Sequence, residues 1–426
     1  MREALAYIQQ VAAVGIKPGL ERIEALLERL GNPHRRLRFL HVGGTNGKGS
    51  VTAFLSSILR AAGYRVGTFT SPHLRSYLER FRLNGRPIRE REFVWLVNEL
   101  YPHLEALRQE GIRLTEFEIH TALAFLLFAR ARVEVAVVEV GLGGRWDATN
   151  VVLPELAVIT NVAVDHTDYL GSDITSIARE KAGIIKAGVP VVTGATGEAL
   201  RVVEEVAREK GAPLYVQGRD FSFREKANDL TGQVIEVEGW WGKTPPLRLN
   251  LLGRHQQSNA ALAVAAARLL EERGWQIDKG AIKVGLYRTR WPGRLEIVFS
   301  QPTLILDGAH NPAGTAALRE ALDYYFPRGR RLLVLGMCDD KAREEMVKII
   351  VPGASLVVVT RPPGPRSEDW RRVADWARSL CPQVYLVEEP QEALGQALRQ
   401  ARPEDLVVVT GSLYLVGALE PEDKAF

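Results

Sequence analysis

One nine-residue stretch, Val42-Gly43-Gly44-Thr45-Asn46-Gly47-Lys48-Gly49-Ser50, constrains this chain more than any other. It lies between an apolar run, Phe39 to Val42, and a helix-like run, Val51 to Ala62. A buried strand, a glycine-rich turn and a helix start together form a phosphate cradle. Glycines let backbone N–H groups approach the oxygens, and the helix dipole favours negative charge. Lys48 is expected against the phosphates and Ser50 near a metal. The spacing departs from G-x-x-x-x-G-K-[ST] twice: Val42 stands in the first position, and Gly49 separates Lys48 from Ser50.

The 426 residues, 46% of them hydrophobic, supply core for two or three domains of a soluble globular protein. The net charge of +4 comes from Lys and Arg interspersed with Asp and Glu, which does not call for nucleic acid and suits small polyanions. With only Cys338 and Cys381, neither a disulfide framework nor a cysteine metal cluster is available, as befits a reducing compartment. No apolar run reaches the roughly 18 to 20 residues of a membrane span, and the N-terminus lacks a signal-peptide core, so a cytoplasmic protein with no membrane partner is expected. We also expect a monomer.

Along the chain, strands and helices alternate. Residues 1–37 read as one or two amphipathic helices, with Leu20, Ile23, Leu26, Leu27 and Leu30 at helical spacing. Arg65 to Thr70 reads as a strand followed by Ser71-Pro72-His73-Leu74 and a long loop through Arg82. Thr115-Glu116-Phe117-Glu118 opens a helix with a capping box. Val133 to Val140 reads as a buried strand, and Glu139 near its end is a magnesium candidate, because a carboxylate in an apolar strand is costly unless paired or cation-bound. His166 follows the next strand, so it shares that sheet edge. Residues 221–252 alternate like a β meander, and Asn259 stands at a helix start. Trp291-Pro292-Gly293 divides a domain over 1–290 from a smaller one over 294–426, in which a second doubly wound, Rossmann-like α/β alternation begins. Arg294 has the planar donor fork that suits a phosphate, while Asn311-Pro312 reads as a helix start.

Gly-Thr-Asn-Gly-Lys-Gly-Ser resembles the ATP loop of the Mur ligase superfamily, and within it the folylpolyglutamate synthase/dihydrofolate synthase family. So do Glu-Val-Gly-Leu-Gly-Gly-Arg-Trp-Asp-Ala-Thr-Asn from Glu139 and Asp-Gly-Ala-His-Asn-Pro from Asp307. The resemblance covers nearly the whole chain in seven ordered motifs. It implies a P-loop-containing doubly wound N-terminal domain, ATP bound by Thr45, Asn46, Gly47, Lys48, Gly49 and Ser50, and adenine read by Asn259. Arg294 and Asp307 would meet ATP from the other side. Two magnesium ions (Mg2+) would be held by Ser50, Ser71, Glu139, His166 and Lys181, the last carbamylated. Arg80 would meet an anionic substrate, and a pterin site would involve Thr115, Glu116, Phe117, Glu118, Trp146, Asp147 and Ala148. That pocket would be bordered by Lys17, Pro18 and Gly19. His310, a possible proton acceptor, and Ser412 would face the inter-domain site.

The implied reaction is ATP-dependent addition of L-glutamate to a folate or to dihydropteroate through an acyl phosphate, with the bacterial bifunctional form the nearer likeness. The alternatives are another Mur-type amide ligase or a nucleotide-binding regulatory ATPase. The former usually carries a further N-terminal domain, and only about 40 residues precede the loop, fewer than a typical domain needs.

Overall fold

The computed structural model describes residues 1–15, 17–364 and 366–419. Among these the chain forms two compact units. The first contains Met1–Lys226, Val234–Arg248 and Ser258–Thr289; the second contains Ala227–Gln233, Leu249–Gln257 and the chain from Arg290 onwards.

In the first unit, β1 (Phe39–Gly43), β2 (Val66–Phe69), β3 (Phe81–Leu83), β4 (Arg86–Pro87), β5 (Val135–Glu139), β6 (Leu156–Ile159), β7 (Val191–Thr193) and β8 (Leu214–Val216) make one sheet. Their order is β4-β3-β2-β5-β1-β6-β7-β8, parallel from β2 to β8. The central strands are buried along their length, which is why they read as unbroken apolar runs rather than alternating ones. The chain leaves β1 towards β2 on one side and leaves β6 towards β7 on the other. The switch of direction thus falls between β1 and β6, where ligands gather at the carboxyl ends of the strands.

The reading of one long loop through Arg82 is corrected. Its last residues enter β3, which pairs antiparallel with β2 and with β4. The turn is Asn84-Gly85, both at positive φ (49° and 78°), and Asn-Gly is the favoured two-residue hairpin turn.

The Glu116–Arg130 helix is buried from Glu118 to Phe128. It is apolar on nearly every side and therefore packs as a core helix, with the Phe125 ring edge-on to Phe39 at 5.2 Å. The stretch expected to be a meander forms β9 (Phe221–Asp229), β10 (Gly232–Gly239), β11 (Gly242–Lys243) and β12 (Leu247–Leu249), but β10 pairs with β9, β11 and β12, so the strands do not follow one another as a simple meander does.

The second unit has β13 (Glu296–Ser300), β14 (Thr303–Leu306), β15 (Arg331–Leu335), β16 (Leu356–Val359), β17 (Val384–Leu386) and β18 (Leu406–Thr410) in the order β13-β14-β18-β15-β16-β17. All are parallel except β13, an antiparallel edge strand. Among the described residues, no helix is long and apolar enough to cross a membrane.

The helix after β1, Lys48–Ala61, is fixed by the helix Lys279–Arg288. A Cβ on Gly285 would lie 2.4 Å from the Ile58 Cα, and the Ser57 hydroxyl donates to the Gly285 carbonyl at 2.8 Å. Glycine is what lets the two backbones touch. Gly285→Val is expected to destabilise the first unit by about 1 to 3 kcal/mol, the usual cost of overpacking. Denaturant unfolding would measure this, and an unchanged midpoint would contradict the packing argument.

Candidate functional site

The loop from Gly44 to Gly47 is laced to the segment that follows β6. The Thr45 N–H donates to the Asn161 carbonyl at 2.8 Å and the Asn46 N–H to Asn161 Oδ1 at 3.0 Å. In return, Thr160 Oγ1 and Asn161 Nδ2 donate to the Asn46 carbonyl at 2.6 and 3.0 Å. Thr45 Oγ1 donates to the Ala163 carbonyl and accepts from the Ala163 N–H, at 3.1 and 3.0 Å. Gly44, at φ 130°, leaves no room: a Cβ there would sit 2.0 Å from Thr160 Oγ1.

Two of the loop N–H groups are thereby used within the protein, which makes the helix start the candidate anion site of this turn. That helix begins at Lys48 after Gly47, which offers no side-chain cap. The first N–H groups of a helix have no intrahelical acceptor and carry the positive end of its dipole. Asn259 is buried against this turn, where a Cβ on Gly47 would lie 2.4 Å from its Oδ1.

Two lysines converge on one carbonyl. Lys48 Nζ donates to the Gly44 and Thr45 carbonyls at 3.2 and 3.0 Å, and buried Lys181 donates to the Gly44 carbonyl at 3.0 Å. Burial, and then the neighbouring Lys48 charge, bring the Lys181 pKa down to about 7. Glu139 ends β5 beside Val42 of β1, and its buried carboxylate accepts from the Ser71 N–H at 3.2 Å. Ser50 is buried in the first turn of the helix. His166, in the left-handed region at φ 53°, faces Asp165 at 3.9 Å.

Among the described residues, no three His, Cys, Asp or Glu side chains cluster as a metal cage. Sparse oxygen donors, one carboxylate with serine hydroxyls at a phosphate-binding turn, fit magnesium, which takes few protein ligands alongside phosphate and water. Lys181 fits that set only when its ammonium charge has been removed.

The residues expected around a pterin divide by task. Thr115 and Glu118 close the capping box, and Arg22 pairs with Glu118 at 3.0 Å while donating to the Lys17 carbonyl at 2.6 Å. Their contacts are structural. The Phe117 ring fills the space beside Gly141, where a Cβ would lie 2.5 Å away. Asp147 is buried and caps its own loop, accepting from the Leu142 and Thr149 N–H groups at 2.9 and 3.0 Å. Ala148 is buried, whereas Trp146 is 43% exposed with the Arg145 guanidinium over its ring. Arg80 donates to His73 Nδ1 at 2.9 Å and lies over the Tyr77 ring. Tyr77 in turn donates to Glu116, whose carboxyl pKa is raised by burial.

The second unit assembles its own group. Asp307 accepts from the N–H groups of Leu295 and Ala309 at 2.8 and 2.9 Å, which ties down both flanks of Gly308. Burial raises its pKa, partly offset by Arg294. Arg294 packs on Gly308, where a Cβ would meet its guanidinium at 2.8 Å. His310 Nδ1 donates to the Gly308 carbonyl at 2.8 Å, making Nε2 the basic nitrogen of the neutral ring. Ser412 caps the helix Leu413–Ala418 and lies 3.6 Å from Cys338 Sγ.

Sequence reasoning passed over Thr160, Asn161 and Asp165. The available signal was the polar pair Thr160-Asn161 following directly on a buried strand at the edge already holding Glu139.

Comparison with known proteins adds two family models: the Mur ligase middle domain over residues 42–267, and the Mur ligase glutamate ligase domain over residues 293–413. A Bacillus subtilis dihydrofolate synthase/folylpolyglutamate synthase is 40% identical over 420 residues, 97% of each chain. The crystal structure of a Thermotoga maritima folylpolyglutamate synthase superposes with a TM-score of 0.85 at 42% identity, over 98% of this chain and 94% of that one. A Mycobacterium tuberculosis folylpolyglutamate synthase complexed with ADP gives 0.91 at 35% identity, over 98% and 96%.

The steric limit at Gly44 can be separated from its backbone conformation. Gly63 also has positive φ but opens into free space. Gly63→Ala is expected to cost about 1 kcal/mol for the left-handed backbone alone. Gly44→Ala should cost at least about 3 kcal/mol, since a buried clash is added. Equal losses by denaturant unfolding would contradict the lacing described above.

Proposed function

The chain belongs to the dihydrofolate synthase/folylpolyglutamate synthase family of Mur ligases, and from that premise we propose how its residues carry out ATP-dependent addition of L-glutamate to folates. The finer reading is that it accepts both dihydropteroate and tetrahydrofolate and works in the cytosol. The observation that carries the ATP-dependent step is the glycine-rich turn and helix start at Lys48, placed at the sheet's switch point with two lysines directed to the Gly44 carbonyl.

A free carboxylate is a poor acylating agent. The acceptor's carboxylate oxygen attacks the γ-phosphorus of ATP and ADP leaves; the amine of glutamate then attacks the acyl carbon and phosphate leaves as the amide forms. Lys48 and the N–H groups of the first helical turn would hold the phosphates, with catalysis coming from charge stabilisation and positioning. Ser50, Ser71 and Glu139, joined by His166 and a carbamylated Lys181, would hold magnesium, which supplies charge neutralisation at the phosphoryl oxygens. A Lys181 pKa near 7 supports this, because the neutral amine is the form that combines with carbon dioxide. Asn259 beside Gly47 suits adenine, whose edge needs both a donor and an acceptor. His310, with its proton fixed on Nδ1, has a basic nitrogen to take a proton from the glutamate ammonium. Arg294, on the Gly308 turn, would bind ATP phosphate, with Asp307 holding that turn in shape.

The test is phosphate release from ATP and magnesium with L-glutamate, run with dihydropteroate, with tetrahydrofolate and with neither. Release that needs both glutamate and a pterin is expected, and release indifferent to both would sink the assignment. Lys48→Ala should lower kcat by about 100-fold or more, as loss of a transition-state charge contact does. For Lys181, 13C-bicarbonate should give a carbamate NMR signal that disappears in Lys181→Ala. No signal in the active enzyme would remove this lysine from the metal set.

A further inference from the structure

His41 lies in the middle of β1, fully buried, with Leu40 and Val42 beside it. An apolar residue would serve the sheet at less cost, since a buried polar group is penalised unless it is bonded. Its Nδ1 has no hydrogen-bond partner, but its Nε2 lies 2.8 Å from Thr149 Oγ1. Thr149 Oγ1 in turn donates its proton to Asp147 Oδ1. The Thr149 hydroxyl has one proton and gives it to Asp147, so the direction of the relay follows: His41 Nε2–H donates to Thr149, and Thr149 O–H donates to Asp147. Burial keeps His41 neutral, with a pKa down to about 3.

The loop that carries Asp147 is anchored on its other side as well. The Arg145 N–H donates to the Glu180 carbonyl at 2.8 Å, and Asn150 Nδ2 donates to the Gly183 carbonyl at 3.1 Å. Those contacts fix the loop against the helix of Lys181. The contact from His41 is what ties the Asp147 carboxylate itself to the strand that leads into the phosphate loop.

We propose that His41 is a positioning residue for the pterin of the acceptor: through Thr149 it sets the orientation of the Asp147 carboxylate. This rests on the reading of Asp147 as a pterin contact. His41 touches neither substrate; it acts through two side chains, and so governs the acceptor and not the nucleotide.

The experiment measures kcat and the separate KM values for dihydropteroate and ATP in the full-length enzyme. His41→Leu and Thr149→Val each remove the relay, His41→Gln keeps a distal donor, and Thr149→Ser keeps the hydroxyl. Loss of one hydrogen bond predicts a dihydropteroate KM raised roughly five- to tenfold in His41→Leu and in Thr149→Val. The ATP KM should stay within about twofold, because the bond faces the other loop. The double variant should be no worse than either single one, as members of one relay are not additive. His41→Gln and Thr149→Ser should recover most of the loss.

An unchanged dihydropteroate KM in His41→Leu and Thr149→Val overturns the inference. A parallel rise in the ATP KM does so too, since it reports general damage to β1. Should His41→Leu not fold, the Thr149→Val and Thr149→Ser pair decides alone. A wild-type enzyme that uses no pterin at all refutes the functional reading, and this inference with it.

Discussion

The close approach at Gly44 is the constraint on which the first unit depends. Only a residue without a side chain lets the loop after β1 lie against Thr160 and Asn161 after β6. That contact closes the crevice between the two strands where the sheet changes direction. It uses up the N–H groups of Thr45 and Asn46, and so makes the start of the next helix the candidate anion site. Gly285 then holds that helix from behind.

The same carbonyl organises the charge. The Lys48 ammonium at Gly44 brings a positive charge suited to a polyphosphate and to the charge that develops when its terminal group is transferred, with Lys181 bonded to the same carbonyl. Burial, and then the neighbouring Lys48 charge, disfavour a second ammonium there, and the lowered Lys181 pKa is the result. Glu139 and Ser71, bonded to each other at the adjoining strand ends, bring oxygen donors to this edge. In the second unit, Asp307 shapes the Gly308 turn on which Arg294 and His310 rest. Its role in this fold is thus to hold backbone, in addition to any contact with ATP.

Much of this was legible in the sequence, because buried parallel strands leave continuous apolar runs and phosphate loops need glycine. The central strands, the capping box at Thr115 and the Glu139 carboxylate all have such local causes. Less was legible where the cause is nonlocal. The β3–β4 hairpin was hidden by the basic residues Arg80 and Arg82, although Asn84-Gly85 marked its turn. The β13 edge strand is set only by its partner β14. Asn161 and Thr149 look like ordinary loop polar residues until the fold brings Asn46 to one and His41 to the other. Asp147 and Ser412, read as ligand-facing, prove also to be caps, which no motif spelling distinguishes.

ATP-dependent addition of glutamate requires the acceptor's carboxylate to be activated through phosphoryl transfer. The most direct measurement is to label the acceptor's carboxylate with 18O and analyse the phosphate released in a single glutamate-dependent turnover. Formation and cleavage of an acyl phosphate predicts that one labelled oxygen moves from the carboxylate to the phosphate. Unlabelled phosphate, with both labels left in the acceptor, would mean that ATP is hydrolysed by water, and would contradict activation through an acyl phosphate.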